Sequence, residues 1–274
     1  MMGSEYRKLS GAEFIGEVLD RNRDFERISL PDGTDLRQEK SYAALKGFLK
    51  DRHPHLNFQN SSLPGLTLYG LELPKADFSG ADLTNARFLG GWFKEAIFKN
   101  ANLENAEFQR LKLRRKNPPT PEFDFAKFDG SHCVGAKFEG VSMYGARFTG
   151  ANLEGADFSR MDLSGANLKH AGCKNANFSE AYLGLVVGAD FEGANFTETD
   201  LRNTIGLDKA NGLDNLVLNQ TVVTPKEKEI IIASNPERYA ELEGTFYLLD
   251  KNSQSNPGSR NIRYITYSSP MQRQ

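Results

Sequence analysis

Ala76-Asp77-Phe78-Ser79-Gly80-Ala81-Asp82-Leu83-Thr84-Asn85-Ala86-Arg87-Phe88-Leu89-Gly90 says the same thing three times: a small residue, a polar one, a large apolar one, then two suited to a corner. Stepping outward by five from Phe78 gives Phe58, Leu63, Leu68 and Leu73 on one side, and Leu83, Phe88, Phe93, Phe98, Leu103, Phe108 and Leu113 on the other. The phase is kept from Phe123 and Phe128 through Cys133, Phe138, Met143 and Phe148 to Leu183. After a slip of three residues at Leu185–Val187 it resumes at Phe191, Phe196 and Leu201. Five residues per repeat is 72° per residue, which fits neither the roughly 100° of a helix nor the 180° of a plain strand. Each unit must therefore be a short extended side followed by a corner. In extended chain, residues two apart share a face, so each large residue and the Ala two before it point inward while the polar residue between them points out.

The units Ala81-Asp82-Leu83-Thr84-Asn85 and Ala151-Asn152-Leu153-Glu154-Gly155 resemble the repeat of the pentapeptide-repeat family, and the resemblance covers about residues 56–205. It implies an all-β solenoid: a right-handed quadrilateral parallel β-helix with four pentads per coil. About seven coils are expected, forming a rod on the order of 34 Å long at the inter-strand spacing of roughly 4.8 Å. Steps of twenty then mark stacked faces. One column reads Phe58, Phe78, Phe98, Pro118, Phe138, Phe158, Phe178, and a second reads Leu63, Leu83, Leu103, Phe123, Met143, Leu163, Leu183. Among outward residues Arg87, Glu107, Lys127 and Arg147 fall in one row, with opposite charges at two of its three steps. The break Arg114-Arg115-Lys116-Asn117-Pro118-Pro119-Thr120-Pro121 cannot be a regular side, because proline removes ladder donors. Since the columns keep phase across it, it is expected to replace one face of a coil.

A stack of coils has an open edge and an exposed interior at each end, and both flanks read as helical caps. The expected division is 1–55 as N-terminal cap, 56–205 as repeat, irregular at 114–122 and 184–188, and 206–274 as C-terminal cap and tail. Phe14, Ile15, Val18 and Leu19 form one helical stripe, and Tyr42, Leu45, Phe48 and Leu49 another. Phe25–Leu30 reads as extended chain, a candidate irregular first coil. Thr224-Pro225-Lys226-Glu227 is a capping box with proline at the first helical position. A short helix is expected after Asn235-Pro236, a polar linker over 251–260, and a strand over Ile262–Tyr267.

The 274 residues carry 34 basic and 36 acidic side chains, and residues 56–205 carry 16 and 18, so no strong field marks a nucleic-acid or anionic-membrane binder. No apolar run reaches the roughly 18 residues of a spanning helix and the start of the chain is polar, so a cytoplasmic protein is expected, with no membrane partner and no direct nucleic-acid partner. Enzymes need a concave pocket with converging polar groups, and an interior of Phe, Leu and Ala offers none. Cys133 and Cys173 are inward positions two coils apart, about 9.6 Å by the ladder spacing and so beyond disulfide reach. His132 and His170 point outward, away from them, and His53 and His55 lie in the entry segment. Glycosylation-type triplets such as Asn177-Phe178-Ser179 arise from the repeat itself. No catalytic residue, cofactor or metal is expected.

What remains is the outside. Trp92, Tyr144 and Tyr182 fall at outward positions where a solvated repeat would use polar residues, and such aromatics anchor interfaces. Arg110, Lys112, Arg114, Arg115 and Lys116 cluster around the break. These eight residues are the candidate partner-binding set, with coverage of Trp92 by a flank as the plain alternative. The expected function is a non-catalytic interaction or scaffold protein for an unidentified protein partner, with homodimerisation through the C-terminal region as an option. The family resemblance implies a second reading, a DNA-mimic-like modulator of type II topoisomerase (gyrase) with quinolone protection, from which the balanced charge departs.

Overall fold

The structure, a computed structural model, describes residues 6–109, 123–234 and 246–248, apart from positions 162, 164, 188, 193, 197, 198, 200, 202, 203, 219 and 220. In chain order the described elements include β1 (Arg7–Lys8), α1 (Gly11–Leu19), β2 (Ile28–Ser29), α2 (Tyr42–Arg52), β3 (Thr67–Glu72), β4 (Arg87–Trp92), β5 (Glu107–Gln109) and β6 (Lys137–Glu139). They close with β7 (Thr221–Val223), α3 (Pro225–Ala233) and β8 (Phe246–Leu248). Between them lie single parallel bridges at five-residue intervals, and among the described residues all pairing is parallel, as a solenoid requires. Four sides result. Their outward rows begin at Asn57, Ser62, Thr67 and Glu72, and the residue after each, Phe58, Leu63, Leu68 and Leu73, is buried.

The pentad explains its own corner. The Phe78 carbonyl accepts from the Ala81 amide, closing a turn in which Gly80 sits at φ 66°, the left-handed region that glycine and asparagine tolerate. The outward Asp or Asn is chosen for the same turn: Asp82 Oδ1 accepts from the Thr84 amide at 3.1 Å, and Asn102 Oδ1 from the Glu104 amide at 3.2 Å. Inside, aromatic rings stack rung on rung. On the third side Phe88, Phe108, Phe138 and Phe158 follow one another with centroids 4.6–4.8 Å apart and nearly parallel planes.

The register corrects the reading of the break. Ile97 pairs with Lys127, Asn102 with His132 and Glu107 with Lys137, thirty positions apart, where other rungs in this stretch are twenty apart. Ten residues are therefore added between Gln109 and Phe123; no face is replaced. Phe98 stacks on Phe128 at 4.8 Å, not on Pro118, and Phe138 belongs above Phe108. The phenylalanine column inferred from steps of twenty is thus two columns joined at the wrong place. Ten is two pentads, so the insertion preserves the five-residue phase while rotating the later chain by two sides. The charge row changes with it: Glu107 meets Arg87 at 3.1 Å and Lys137 at 3.8 Å, whereas Lys127 and Arg147 stay neighbours but on the first side, above Ile97.

The second irregularity is a shortening. Asn167 pairs with Leu185 and Asn177 with Asn195, eighteen apart, and buried Val186 follows buried Leu183 after three residues. Beyond it the rungs widen to Asp190 with Asn211 and Asn195 with Val217, and 3₁₀ turns at Leu207–Lys209 and Leu213–Asn215 supply the extra corner length.

At the amino-terminal end Asp24, Ser29 and Asp35 bridge to Asn57, Ser62 and Thr67, an incomplete coil beneath the first regular one. Over it lie α1, opened by a Ser10–Glu13 capping box, and α2, with Phe14, Ile15, Val18, Leu45 and Leu49 buried. Phe14 meets Phe25 edge-on at 4.9 Å, and Phe25 stacks on Phe58. A cavity of about 10 Å³ among Phe14, Leu45, Phe58 and Phe78 is apolar throughout and at the lower limit for one water. At the other end the Thr224–Glu227 capping box opens α3 with Pro225 as its first residue. The segments 235–245 and 249–274, with the expected later helix, linker and strand, lie outside the described residues.

Candidate surface site

The register decides what lies beside what. Arg110, Lys112, Arg114, Arg115 and Lys116 lie outside the described residues. Trp92, Tyr144 and Tyr182 belong to one side, the fourth, whose inward residues include Phe93, Met143 and Leu183. They occupy alternate rungs, so along the rod successive aromatics are about 9.6 Å apart.

Trp92 is only half exposed. Arg52 ends α2, and His53 caps it in the left-handed region, φ 43°, setting the imidazole edge-on to the indole at 5.2 Å. His53 Nδ1 stands 3.8 Å from Glu72 Oε2 on the preceding rung. Trp92 Nε1 is buried with no hydrogen-bond partner among the described residues. A residue of the flank, His53, thus lies against Trp92 and leaves it partly exposed. Tyr182 is half-buried, its amide donating to the Met161 carbonyl in the ladder.

Tyr144 differs. It is 57% exposed and meets the 46% exposed ring of Phe125 edge-on, with centroids 5.7 Å apart and planes at 90°. Both sit at the corner between the fourth and first sides. Phe125 holds the turn position with φ 58°, where most other corners carry Gly or Asn. A non-glycine residue there costs roughly 1–2 kcal/mol. The next two corners make room for the rings: a Cβ on Gly145 would stand 2.6 Å from Phe125, and one on Gly165 would stand 2.8 Å from Tyr144. Phe125 is absent from the candidate set drawn from sequence, yet it carries a plain signal. Between Phe58 and Phe178 it is the one phenylalanine out of the five-residue phase.

Charge gathers on the adjoining first side. Lys127 and Arg147 occupy neighbouring rungs, and Arg147 is 3.3 Å from Asp129. Asp124 Oδ1 is committed to the corner itself, accepting from the Ser142 hydroxyl at 2.5 Å and the Tyr144 amide at 3.1 Å.

The thiols and imidazoles do not converge. Cys133 and Cys173 are buried on the second side with Leu153 between them, and burial pushes the Cys133 thiol up to about 12 and the Cys173 thiol higher still. His132 faces outward beside Asn152, and His170 occupies a left-handed corner. Among the described residues no cluster of three metal-ligating side chains forms, and no helix is long and apolar enough to cross a membrane.

Two family models, each described as pentapeptide repeats, match the chain, one over residues 73–115 and the other over 122–160, 146–184 and 186–205. No curated protein sequence matches. Among solved structures the chain is similar to HetL, a pentapeptide repeat protein involved in heterocyst differentiation regulation from the cyanobacterium Nostoc sp. strain PCC 7120. The identity is 17%, with 76% of this chain and 94% of that one covered and a TM-score of 0.42. Trypsin-treated QnrB1, a plasmid-mediated fluoroquinolone resistance protein, is 20% identical over 63% of this chain and 75% of its own, at a TM-score of 0.28. Rfr23 from the cyanobacterium Cyanothece 51142 is 20% identical over 58% of this chain and 95% of its own, at 0.17.

Proposed function

The chain belongs to the pentapeptide-repeat family, and from that premise we propose that it is a non-catalytic interaction scaffold presenting the outer faces of a rigid rod to a protein partner. The rod of this reading is a right-handed quadrilateral β-helix of about seven regular coils, closed by residues 1–55 and 206–274. One observation carries it: the interior columns are filled by stacked, buried Phe and Leu, so the outer surface is what remains for recognition. The contact set comprises Tyr144 with its neighbour Phe125, then Trp92 and Tyr182 on the same side, and the basic residues Arg110, Lys112, Arg114, Arg115 and Lys116. A second copy joined through the C-terminal region belongs to the same reading.

The test is affinity capture with the intact chain, quantified for wild type, Tyr144→Ala and a triple Arg114→Glu, Arg115→Glu, Lys116→Glu variant. At least one specific partner should fall about tenfold, equivalent to roughly 1.4 kcal/mol, while the melting transition of the rod is unchanged. Retention of every partner by both variants rejects the contact set. Modulation of gyrase calls for a continuous acidic stripe. The first side instead runs Asp77, Ile97, Lys127, Arg147 and the third Arg87, Glu107, Lys137, Asp157, so the charge pattern favours the scaffold. Unchanged supercoiling by gyrase in the presence of the protein is the expected result.

A further inference from the structure

Resting on the scaffold reading, we propose that the corner formed by Phe125 and Tyr144, with Lys127 and Arg147 beside it, is a docking site for an acidic protein segment that inserts one apolar side chain. Three observations lead there. Phe125 accepts a left-handed backbone, breaks the repeat phase and leaves its ring half in water, although the interior is filled without it. Lys75, Glu95, Arg160, His170 and Glu180 hold the same corner conformation, so what marks Phe125 is a large apolar ring left exposed there. Gly145 and Gly165 lie under the two rings, so the exposed pair rests on the rod and is held in place before any partner arrives. Preorganised aromatics lose little freedom on binding.

Charge names the partner. Lys127 and Arg147 stand on neighbouring rungs, where like charges repel. Asp129 relieves Arg147, but no ion pair holds Lys127 among the described residues. The nearby carboxylates are already engaged, Asp124 with Ser142 and the Tyr144 amide, Glu95 with Lys75 at 3.6 Å. An incoming carboxylate therefore finds Lys127 with no competing ion pair among the described residues. The rings stand perpendicular, 5.7 Å apart. That makes a notch for an aliphatic or aromatic side chain and offers no parallel platform for successive stacked bases, which favours a peptide over single-stranded nucleic acid.

The experiment titrates the full chain into a fluorescein-labelled peptide, Asp-Asp-Glu-Leu-Phe-Glu-Asp-Asp, followed by anisotropy, with Lys-Lys-Arg-Leu-Phe-Arg-Lys-Lys and an oligouridylate as rival probes. The acidic peptide should bind best. Phe125→Gly and Lys127→Glu should each weaken it about tenfold, with melting curves matching wild type. Lys137→Glu makes the same charge change on the third side and should leave affinity unchanged. Absence of binding to the acidic peptide, equal loss with Lys137→Glu, or tighter binding of the oligouridylate overturns the proposal. A partner captured by the intact chain and still held by the Phe125→Gly, Lys127→Glu double variant overturns this corner while leaving the scaffold reading in place.

Discussion

The phenylalanine column of the third side and the Phe125–Tyr144 corner use the same chemistry for opposite ends. Phe108 is fully buried, stacked at 4.8 Å on both Phe88 and Phe138 and edge-on to Phe123 and Phe128. Among the described residues Phe125 makes one ring contact, to Tyr144, and it lies half in solvent on a strained turn. Aromatics in phase hold the rod together, and aromatics out of phase are held by it. The sharpest way to break this contrast is Phe108→Ala. Removing a fully buried phenylalanine from a close-packed stack should cost about 3–5 kcal/mol, read as a lowered urea midpoint with far-UV circular dichroism. A loss near that of a surface substitution would mean that the interior is not packed as described.

The second side tests the same interior through its thiols. Burial raises both Cys133 and Cys173 from the ordinary value of 9.0, Cys133 to about 12. A group whose folded-state value is raised favours folding fully below its unfolded value, and that contribution fades as pH climbs toward the folded one. Stability should therefore be flat in this respect up to about pH 9 and then fall, by about 2–3 kcal/mol at pH 10 for the two thiols together. Cys133→Ser, Cys173→Ser should abolish that slope. Urea titrations at pH 8 and 10 check it, and Ellman's reagent should label neither thiol until the chain unfolds.

Most of the coil was legible in the sequence because its signal is repeated: inward Phe or Leu, Ala two before, Asp or Asn outward, Gly or Asn at the corner. Each recurs often enough to survive a local exception, and each has a physical cause visible in a single turn. The stacking register was not legible. It depends on how many pentads lie between two rungs, and an insertion of ten residues leaves every local pattern intact, so Pro118 in the first column was the one sign of trouble. The surface site was legible in part. Tyr144 stood out by position, but whether Trp92 was open depended on where α2 ends and His53 turns, which periodicity does not encode. The register itself can be sharpened. Deleting residues 111–120 restores twenty-residue steps across the break, leaving Phe108 and Phe123 one pentad apart. The shortened chain should fold, more stable by about 1 kcal/mol from the smaller loop entropy, with Phe98 still on Phe128. A chain that unfolds on this deletion would place the insertion elsewhere.

Phe125→Gly has the smallest expected effect and bears most directly on the contrast. Three contributions meet at this residue. Glycine removes the left-handed strain of roughly 1–2 kcal/mol, adds about 0.5–1 kcal/mol of backbone entropy to be lost on folding, and gives up an edge-on ring pair of about 0.5–1.5 kcal/mol. They nearly cancel, so the melting transition should move by no more than about 1 kcal/mol equivalent in either direction, against the several lost at Phe108. A phenylalanine dispensable for folding, yet placed at a strained and exposed corner beside two cations, is then maintained by what it contacts outside the rod. If Phe125→Gly instead destabilised the chain as much as Phe108→Ala, the residue would be structural and the corner would lose its claim to recognition.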